Sequence, residues 1–335
     1  LRKIGKEAEF YNIDYFRPPD EEVEAYFALN QFDVVGISAV VSTAYKYTKF
    51  LTKLVRRVSP HTTIVVGGNM VASAEILLRQ CEVDYCVMGD GEEIVQELIP
   101  GIENGWEPEE MKHISGLCFL DEHGKFCNTG YGKVPSGDEI DWPDYSILEA
   151  DGSLPHFIQD YPDWYVDYGN EIPEHMRGKR SALIITTKGC VARCTFCHRF
   201  ERGYRMRPID QLKAHVNYLI DNHNVGFINI GDENFGSNKE LTREIVKFFG
   251  QKGIIWEAAG VRTYTVDFET LQYWRDNGCA AVYYGIESGS QTMLDVMEKK
   301  TTVEKNLEAI RLMSDIGLFT ICQLVLACQE KMIKQ

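Results

Sequence analysis

The sequence predicts an α/β protein in two parts: a doubly wound, Rossmann-like parallel sheet, then a partial (β/α)6 barrel of the TIM type, incomplete at its C-terminus. Three observations carry that expectation. Short apolar runs alternate with segments whose apolar residues recur every three or four positions, as in strands joined by helices. The alternation is interrupted once, by a Pro- and aromatic-rich stretch at 131–178. After the interruption, polar residues gather at the C-terminal ends of successive strand-like runs, the rim where parallel barrels build their sites.

The first part covers 1–130. "DVVGISAVV" (33–41) reads as a buried strand, and Ala44, Tyr47, Leu51, Leu54, Val55 and Val58 follow at helical spacing. "TIVVGGN" (63–69) is a second strand, a short helix is expected near 73–80, and "DYCVMGDGEE" (84–93) is a third strand. Ile94, Val95, Leu98 and Ile99 then share a helix face. "ISGLCFLDEHGKFCNTG" (114–130) places two apolar runs around Asp121–Gly124 and reads as a hairpin. Residues 131–178 carry Pro135, Pro143, Pro155, Pro162 and Pro173 with little periodicity, which predicts a linker between domains.

The second part runs from 179 to 335. Strand "SALIITT" (181–187) leads through a cysteine loop to a helix begun by Pro208, with Ile209, Leu212, Val216, Leu219 and Ile220 on its apolar face. Strand "FINIGD" (227–232) precedes a capping-box pattern from Ser237 to Glu240. Strand "IIWEAAGVR" (254–262), a helix ended by Gly278, strand "AAVYYGIES" (280–288), a helix from a Thr301/Glu304 capping pattern to Gly317, and strand "FTICQLVLA" (319–327) complete the series.

Composition narrows the function. Of 335 residues 44% are hydrophobic, and 35 basic against 50 acidic residues give a formal charge of -15. That is a globular chain without the basic footprint of a nucleic-acid or anionic-membrane binder. No apolar run approaches the roughly 20 residues of a membrane span, and no stretch of this sequence reads as an export signal. A reducing cytosol is therefore expected, where clustered thiols read as metal ligands rather than disulfides. Cys81, Cys86, Cys118, Cys127, Cys279, Cys322 and Cys328 are scattered and read as small buried hydrophobes.

"KGCVARCTFCHRF" (188–200) is different. Cys190, Cys194 and Cys197 offer three thiolates from one loop, enough for three irons of a cubane cluster while the fourth iron lacks a protein ligand. The competing reading is zinc, with His198 as fourth ligand, although adjacent residues rarely reach one tetrahedral metal without strain. Further round the rim stand Asp232 and Glu233, then Arg262, then Glu287 and Ser288.

"CVARCTFC" at the end of the first strand of a partial barrel resembles the signature of the radical S-adenosylmethionine (SAM) superfamily. The resemblance implies that Cys190, Cys194 and Cys197 hold a [4Fe–4S] cluster whose open iron binds SAM and whose electron yields a 5'-deoxyadenosyl radical. It implies that Phe196 sits by the adenine, that Asp232 and Glu233 in "GDENF" (231–235) meet the SAM amino group, and that Arg262 with Glu287 and Ser288 in "GIESGS" meets the carboxylate and ribose.

The N-terminal part resembles the cobalamin-binding domain of one branch of that superfamily. "VVGISAVVSTAY", "IVVGGNMVASAE" and "VDYCVMGDGEEIVQEL" match its pattern, as does "WPDYSIL" (142–148). Ser38, Gly67, Gly68, Gly89 and Gly91 are then the implied cobalamin contacts, where glycines let a flat ring or its tail approach the backbone. Two departures stand out. No Asp-x-His-x-x-Gly is present, and "DEHGKF" (121–126) lies in the hairpin, so a cobalt face without histidine is implied. The family continues into a Gly-x-Pro-Gly-Glu stretch and a sixth strand, whereas this chain opens on Leu1 and stops after "LVLACQEKMIKQ"; a piece cut at both ends is expected.

The expectation for function is a cobalamin-dependent radical SAM enzyme, acting on a small molecule with an electron donor such as flavodoxin or ferredoxin, and transferring a methyl group to an unactivated centre. Ring formation, rearrangement or methylthiolation without functional cobalamin is the alternative. A non-catalytic, zinc-stabilised corrinoid- or nucleotide-binding module is the third.

Overall fold

The computed structural model describes residues 1–197 and 203–326, which divide into two compact units meeting in sequence between Pro135 and Ser136. His198, offered as a zinc ligand, and Cys328 lie outside the described residues.

The first unit is built on a five-stranded sheet, β1 (Val34–Ser38), β2 (Thr63–Gly67), β3 (Tyr85–Val87), β4 (Leu117–Leu120) and β5 (Phe126–Asn128), in that spatial order. The first three strands are parallel, and β4 and β5 extend the sheet antiparallel as the expected hairpin, turning at Asp121–Gly124. Alternation along β2 explains why both faces are covered. Ile64 packs with Leu51, Leu54 and Val55 of helix Tyr45–Val58, and Val66 with Ala74, Leu77 and Leu78 of helix Ala74–Gln80. Val65 turns the other way, to Ile94 and Leu98 of helix Gly91–Glu103.

The second unit holds β6 (Ile158–Gln159), β7 (Arg180–Ile184), β8 (Thr187–Lys188), β9 (Arg205–Met206), β10 (Val225–Ile230), β11 (Ile255–Val261), β12 (Cys279–Glu287) and β13 (Phe319–Leu324). The main sheet runs β13-β12-β11-β10-β7-β6. Five of its strands are parallel and connected through helices, as the alternation predicted, and among the described residues the sheet stays open rather than closing into a barrel. Ile228, Ile230, Trp256, Ala258 and Val282 face the helices in one large core, while Leu183, Asn229, Glu257 and Tyr283 alternate with them on the other face.

Three sequence-based expectations change. The stretch expected to be a linker belongs to the second unit from Ser136 onward. Its β6 pairs antiparallel with β7, and "WPDYSIL" docks on helix Ile209–His223: Trp142 stacks on His215 at 5.1 Å and the Tyr145 hydroxyl lies 3.0 Å from His215 Nε2. Tyr145, Trp164 and Tyr165 are packing residues in short helices, which periodicity over long windows cannot register. Both capping boxes shift by one residue. Asn238, not Ser237, accepts the Leu241 amide, and Thr302, not Thr301, accepts that of Lys305. Finally, "SALIITT" is two strands, because the chain turns off the sheet after Ile184 so that Thr187–Lys188 can pair with Arg205–Met206.

Candidate functional site

That short ladder brings the chain leaving β8 at Lys188 and the chain returning in β9 at Arg205 together just beyond the end of β7, with the cysteine loop between them. Cys190, Cys194 and Cys197 all lie on it as free thiols, the first partly buried, the second buried and the third exposed. The loop is fastened through Thr195, whose amide donates to Met297 O at 2.9 Å and whose hydroxyl donates to Val296 O at 3.1 Å. Partial burial raises the Cys197 thiol pKa, and the charges of Glu233, Cys194 and Cys190 add to the rise while Lys299 opposes it. Thiols that feel one another in this way gain from a cationic iron core. Among the described residues no three His, Cys, Asp or Glu side chains close on one point as a single zinc ion requires. A cubane, which takes one thiolate per iron, makes no such demand.

The segment 296–299 gathers the rest of the rim. Arg262, 7% exposed, donates from Nη2 to Lys299 O at 2.8 Å and lies over the Tyr264 ring, while its Nε has no partner among the described residues. A buried, unpaired guanidinium N–H is what a ligand carboxylate would satisfy. Glu287 ends β12 and pairs with Lys299 Nζ at 2.6 Å. The same ammonium stands 5.9 Å from the centroid of Phe196, which is partly exposed. Ser288 is half-buried and its hydroxyl accepts the Ser290 amide. Glu233 is exposed and close enough to raise the Cys197 pKa. Lys299 was absent from the sequence reading; "MEKK" looks like a solvated run, and only folding reveals which of its lysines turns inward.

Asp232 departs from expectation. It is 3% exposed, and its oxygens accept from the Thr186 amide at 2.7 Å, the Thr186 hydroxyl and the Thr187 hydroxyl at 2.8 Å. Burial raises its pKa while those hydrogen bonds work the other way. Its side chain is committed to the loop base and not to an open rim.

In the first unit, the C-terminal ends of β1 and β2 leave backbone uncovered. Ser38 and Gly67 are paired in register, a methyl added at Gly36 or Gly67 would meet nothing within 4 Å, and Val40 and Val41 stand exposed beside them. A flat backbone shelf next to exposed apolar side chains suits a large, mostly apolar ring or its tail. Gly68 has another reason to be glycine: at φ 91, a methyl there would lie 2.7 Å from Ala39 O. Gly89 adopts φ 110, and Gly91 opens helix Gly91–Glu103. Gly36 was missed by the sequence reading because it lies mid-strand, where nothing but the absence of a covering helix marks it.

The remaining cysteines are mostly packing residues. Cys86 and Cys118 face each other across β3 and β4, with Cys81 in the same core, and burial raises all three thiol pKa values. Cys127 and Cys322 are not buried. No helix among the described residues is long and apolar enough to cross a membrane.

Comparison with known proteins agrees with this arrangement. Residues 3–99 match the B12 binding domain family and residues 184–329 the Radical SAM superfamily, together well over half of the chain. An anaerobic magnesium-protoporphyrin IX monomethyl ester cyclase of Cereibacter sphaeroides is 28% identical over 90% of this chain and 47% of its own length. An uncharacterized methyltransferase of Pyrococcus horikoshii is 27% identical over 89% of this chain and 61% of its own length. The chain thus spans about half the length of the curated relatives it matches. The fold is shared with OxsB, a cobalamin-dependent S-adenosylmethionine radical enzyme solved with aqua-cobalamin bound, at TM-score 0.71 and 20% identity over 91% of this chain and 42% of that one. The cofactors of the two matched families are the [4Fe–4S] cluster, SAM and cobalamin, for which the thiol loop, the Arg262 rim and the glycine shelf are fitting donor sets. The chain belongs to the radical SAM superfamily and carries a B12 binding domain ahead of its radical SAM region.

Proposed function

We propose that the chain works as a cobalamin-dependent radical SAM methyltransferase, acting on an unactivated centre of a small molecule with a flavodoxin- or ferredoxin-like electron donor. The observation that carries this reading is the convergence at 296–299, where one segment ties down the cysteine loop through Thr195 and also holds Arg262 and Glu287. When bound, the cluster and SAM supply a deoxyadenosyl radical and cobalamin supplies a methyl group. The chain's own residues bind and orient. Cys190, Cys194 and Cys197 hold the cluster. Arg262 offers Nε to the SAM carboxylate, Glu233 its charge to the amino group, Phe196 a ring face, and Glu287 with Ser288 the ribose side. Ser38, Gly67, Gly68, Gly89 and Gly91 line or shape the cobalamin shelf.

Methyl transfer is favoured by the methyltransferase names among the relatives, including a cytidylyl-2-hydroxyethylphosphonate methyltransferase of Streptomyces wedmorensis. Ring formation is the second reading, favoured by the similarity to the anaerobic cyclase. The test is anaerobic reconstitution with counts of iron, sulfide and cobalt per chain, then reduction with SAM carrying a deuterated methyl group. Deoxyadenosine together with deuterium on cobalamin supports methyl transfer. Deoxyadenosine without label on cobalamin supports the second reading, and zinc without iron rejects both.

A further inference from the structure

Asp232 and Arg207 are two buried, oppositely charged groups at the root of the cysteine loop, and none of the roles above uses both. Asp232 follows β10 and takes three hydrogen bonds from Thr186 and Thr187, the residues that lead into the loop. Arg207, 2% exposed, sits where the loop returns. Its amide donates to Thr186 O at 3.1 Å and its Nη1 to Ile185 O at 3.0 Å. The Asp232 backbone is packed closely by β11, where Gly260 leaves room for it: a methyl there would lie 2.2 Å from Asp232 O. Between these clamps the strand pairing at the loop's root is the two-residue ladder of β8 with β9. A ladder that short does not fix a loop by itself.

We propose that Asp232 is a positioning residue that, with Arg207, locks the outgoing and returning legs of the cysteine loop and so sets the geometry and the reduction potential of the cluster held there. This rests on the assignment of Cys190, Cys194 and Cys197 as cluster ligands. Outer groups that orient ligands commonly govern metal retention about tenfold or more. A buried negative charge beside a cluster also disfavours the reduced, more negative state. Removing it must therefore raise the potential.

The test uses reconstituted protein. Asp232→Asn is expected to lose iron to a chelator about tenfold faster than the unchanged chain and to show a higher cluster midpoint potential. Thr187→Val is expected to move both in the same direction by less, and Thr187→Ser, which keeps the hydroxyl, to restore them. If Asp232→Asn fails to fold, the Val and Ser pair at Thr187 decides. Unchanged iron retention and potential in Asp232→Asn, or in Thr187→Val, overturn the proposal. So does a variant with an intact cluster and weakened SAM binding alone, which returns Asp232 to the role of a SAM contact. Cys194→Ala is run alongside: if it keeps its full iron content, the ligand assignment fails, whereas loss of iron there with a normal Asp232→Asn sinks the clamp only.

Discussion

The Nζ of Lys299 lies 2.6 Å from Oε1 of Glu287, with both side chains nearly removed from water. The pair sits in strained backbone. Glu287 at φ 62, Glu298 at φ 51 and Lys300 at φ 58 are three of the five non-glycine residues with positive φ among the described residues. Such conformations cost about 1–3 kcal/mol each and persist where surrounding contacts over-determine them. Here the contacts are the Lys299–Glu287 pair, the Arg262 Nη2 donating to the Lys299 carbonyl, and the Thr195 amide donating to Met297 O. Strain held by these contacts marks this segment as the place where the loop and the strand ends are brought into register, and where the proposed function puts SAM.

Lys299→Met leaves Glu287 buried without its counter-ion. Removing one partner of a buried pair costs about 3 kcal/mol, somewhat less at this slight exposure. The expected result is a lower unfolding midpoint and SAM binding weakened about tenfold, equivalent to about 1.4 kcal/mol, with iron content retained. Lys299→Arg, which keeps the charge, is expected to recover part of the affinity. Equilibrium SAM binding to the reconstituted protein measures this, and wild-type affinity in Lys299→Met would remove Lys299 from the site.

Gly285→Ala probes the same pair from beneath. A methyl there would stand 2.6 Å from Glu287 Oε1 and 2.7 Å from Lys299 Nζ. Those atoms are side-chain ends, so the fold can accommodate the methyl by moving them. The expected outcome is a stability change under about 1 kcal/mol with a clear loss of SAM affinity. A large stability loss with normal affinity would contradict it.

His215 gives a pH dependence. It is 1% exposed, stacked on Trp142, and burial, with help from the Arg207 charge, lowers its pKa from 6.5 to about 3. Below pH 6.5 the unfolded chain takes up a proton that the folded ring refuses. Its contribution is therefore complete above that pH and is lost as the pH falls toward 3, at up to about 1.4 kcal/mol per unit. Urea midpoints between pH 7.5 and 4 are expected to fall less steeply for His215→Gln than for the unchanged chain. Parallel slopes would show that His215 is not the group responsible.

Both sheets and the cysteine loop could be read from the sequence because each announces itself locally. Val34–Ser38 and Thr63–Gly67 are apolar runs followed by helical spacing, and three cysteines within eight residues are rarely anything but ligands. What could not be read depends on contacts far apart along the chain. Asp232 looks like a rim residue until Thr186 and Thr187, some 45 positions earlier, turn out to own its oxygens. Lys299 looks like surface charge until Glu287 is found beside it. The segment holding Trp142 and Tyr145 lacks periodicity because its helices are short, yet its aromatics meet His215 on a helix 70 residues on. Local pattern reports which face is apolar; it cannot report which partner satisfies a buried polar group.

The cysteines divide by chemistry. Cys86 and Cys118 are wholly buried, with thiol pKa values raised by burial, that of Cys118 to about 11. Thiolate is the reactive form, so these are expected to resist alkylation at pH 8 in the folded protein. Cys322 and, without its cluster, Cys197 are exposed and expected to label. Mass spectrometry after brief iodoacetamide treatment, before and after reconstitution, reads the difference. Protection of Cys190, Cys194 and Cys197 on iron loading, with no change at Cys322, is the expected pattern. Labelling of Cys197 at the same rate in both states would remove it from the ligand set.

Gly67 and Gly68 are neighbours with opposite reasons to lack a side chain, and that separates a ligand role from a folding role. At Gly68 the positive φ of 91 and the approach of Ala39 O to 2.7 Å mean that a methyl must push backbone apart. Gly68→Ala is expected to destabilise the first unit by about 1–3 kcal/mol and to lower cobalamin uptake only through that loss. At Gly67 a methyl meets nothing within 4 Å and the backbone is ordinary strand, paired in register with Ser38. Gly67→Ala is therefore expected to leave the unfolding midpoint nearly unchanged, or slightly raised as chain entropy falls. If the shelf formed by Gly36, Ser38 and Gly67 is where the corrin or its tail rests, the same methyl must weaken hydroxocobalamin binding, measured by equilibrium dialysis. Normal binding in Gly67→Ala would move the cobalamin site off this strand edge.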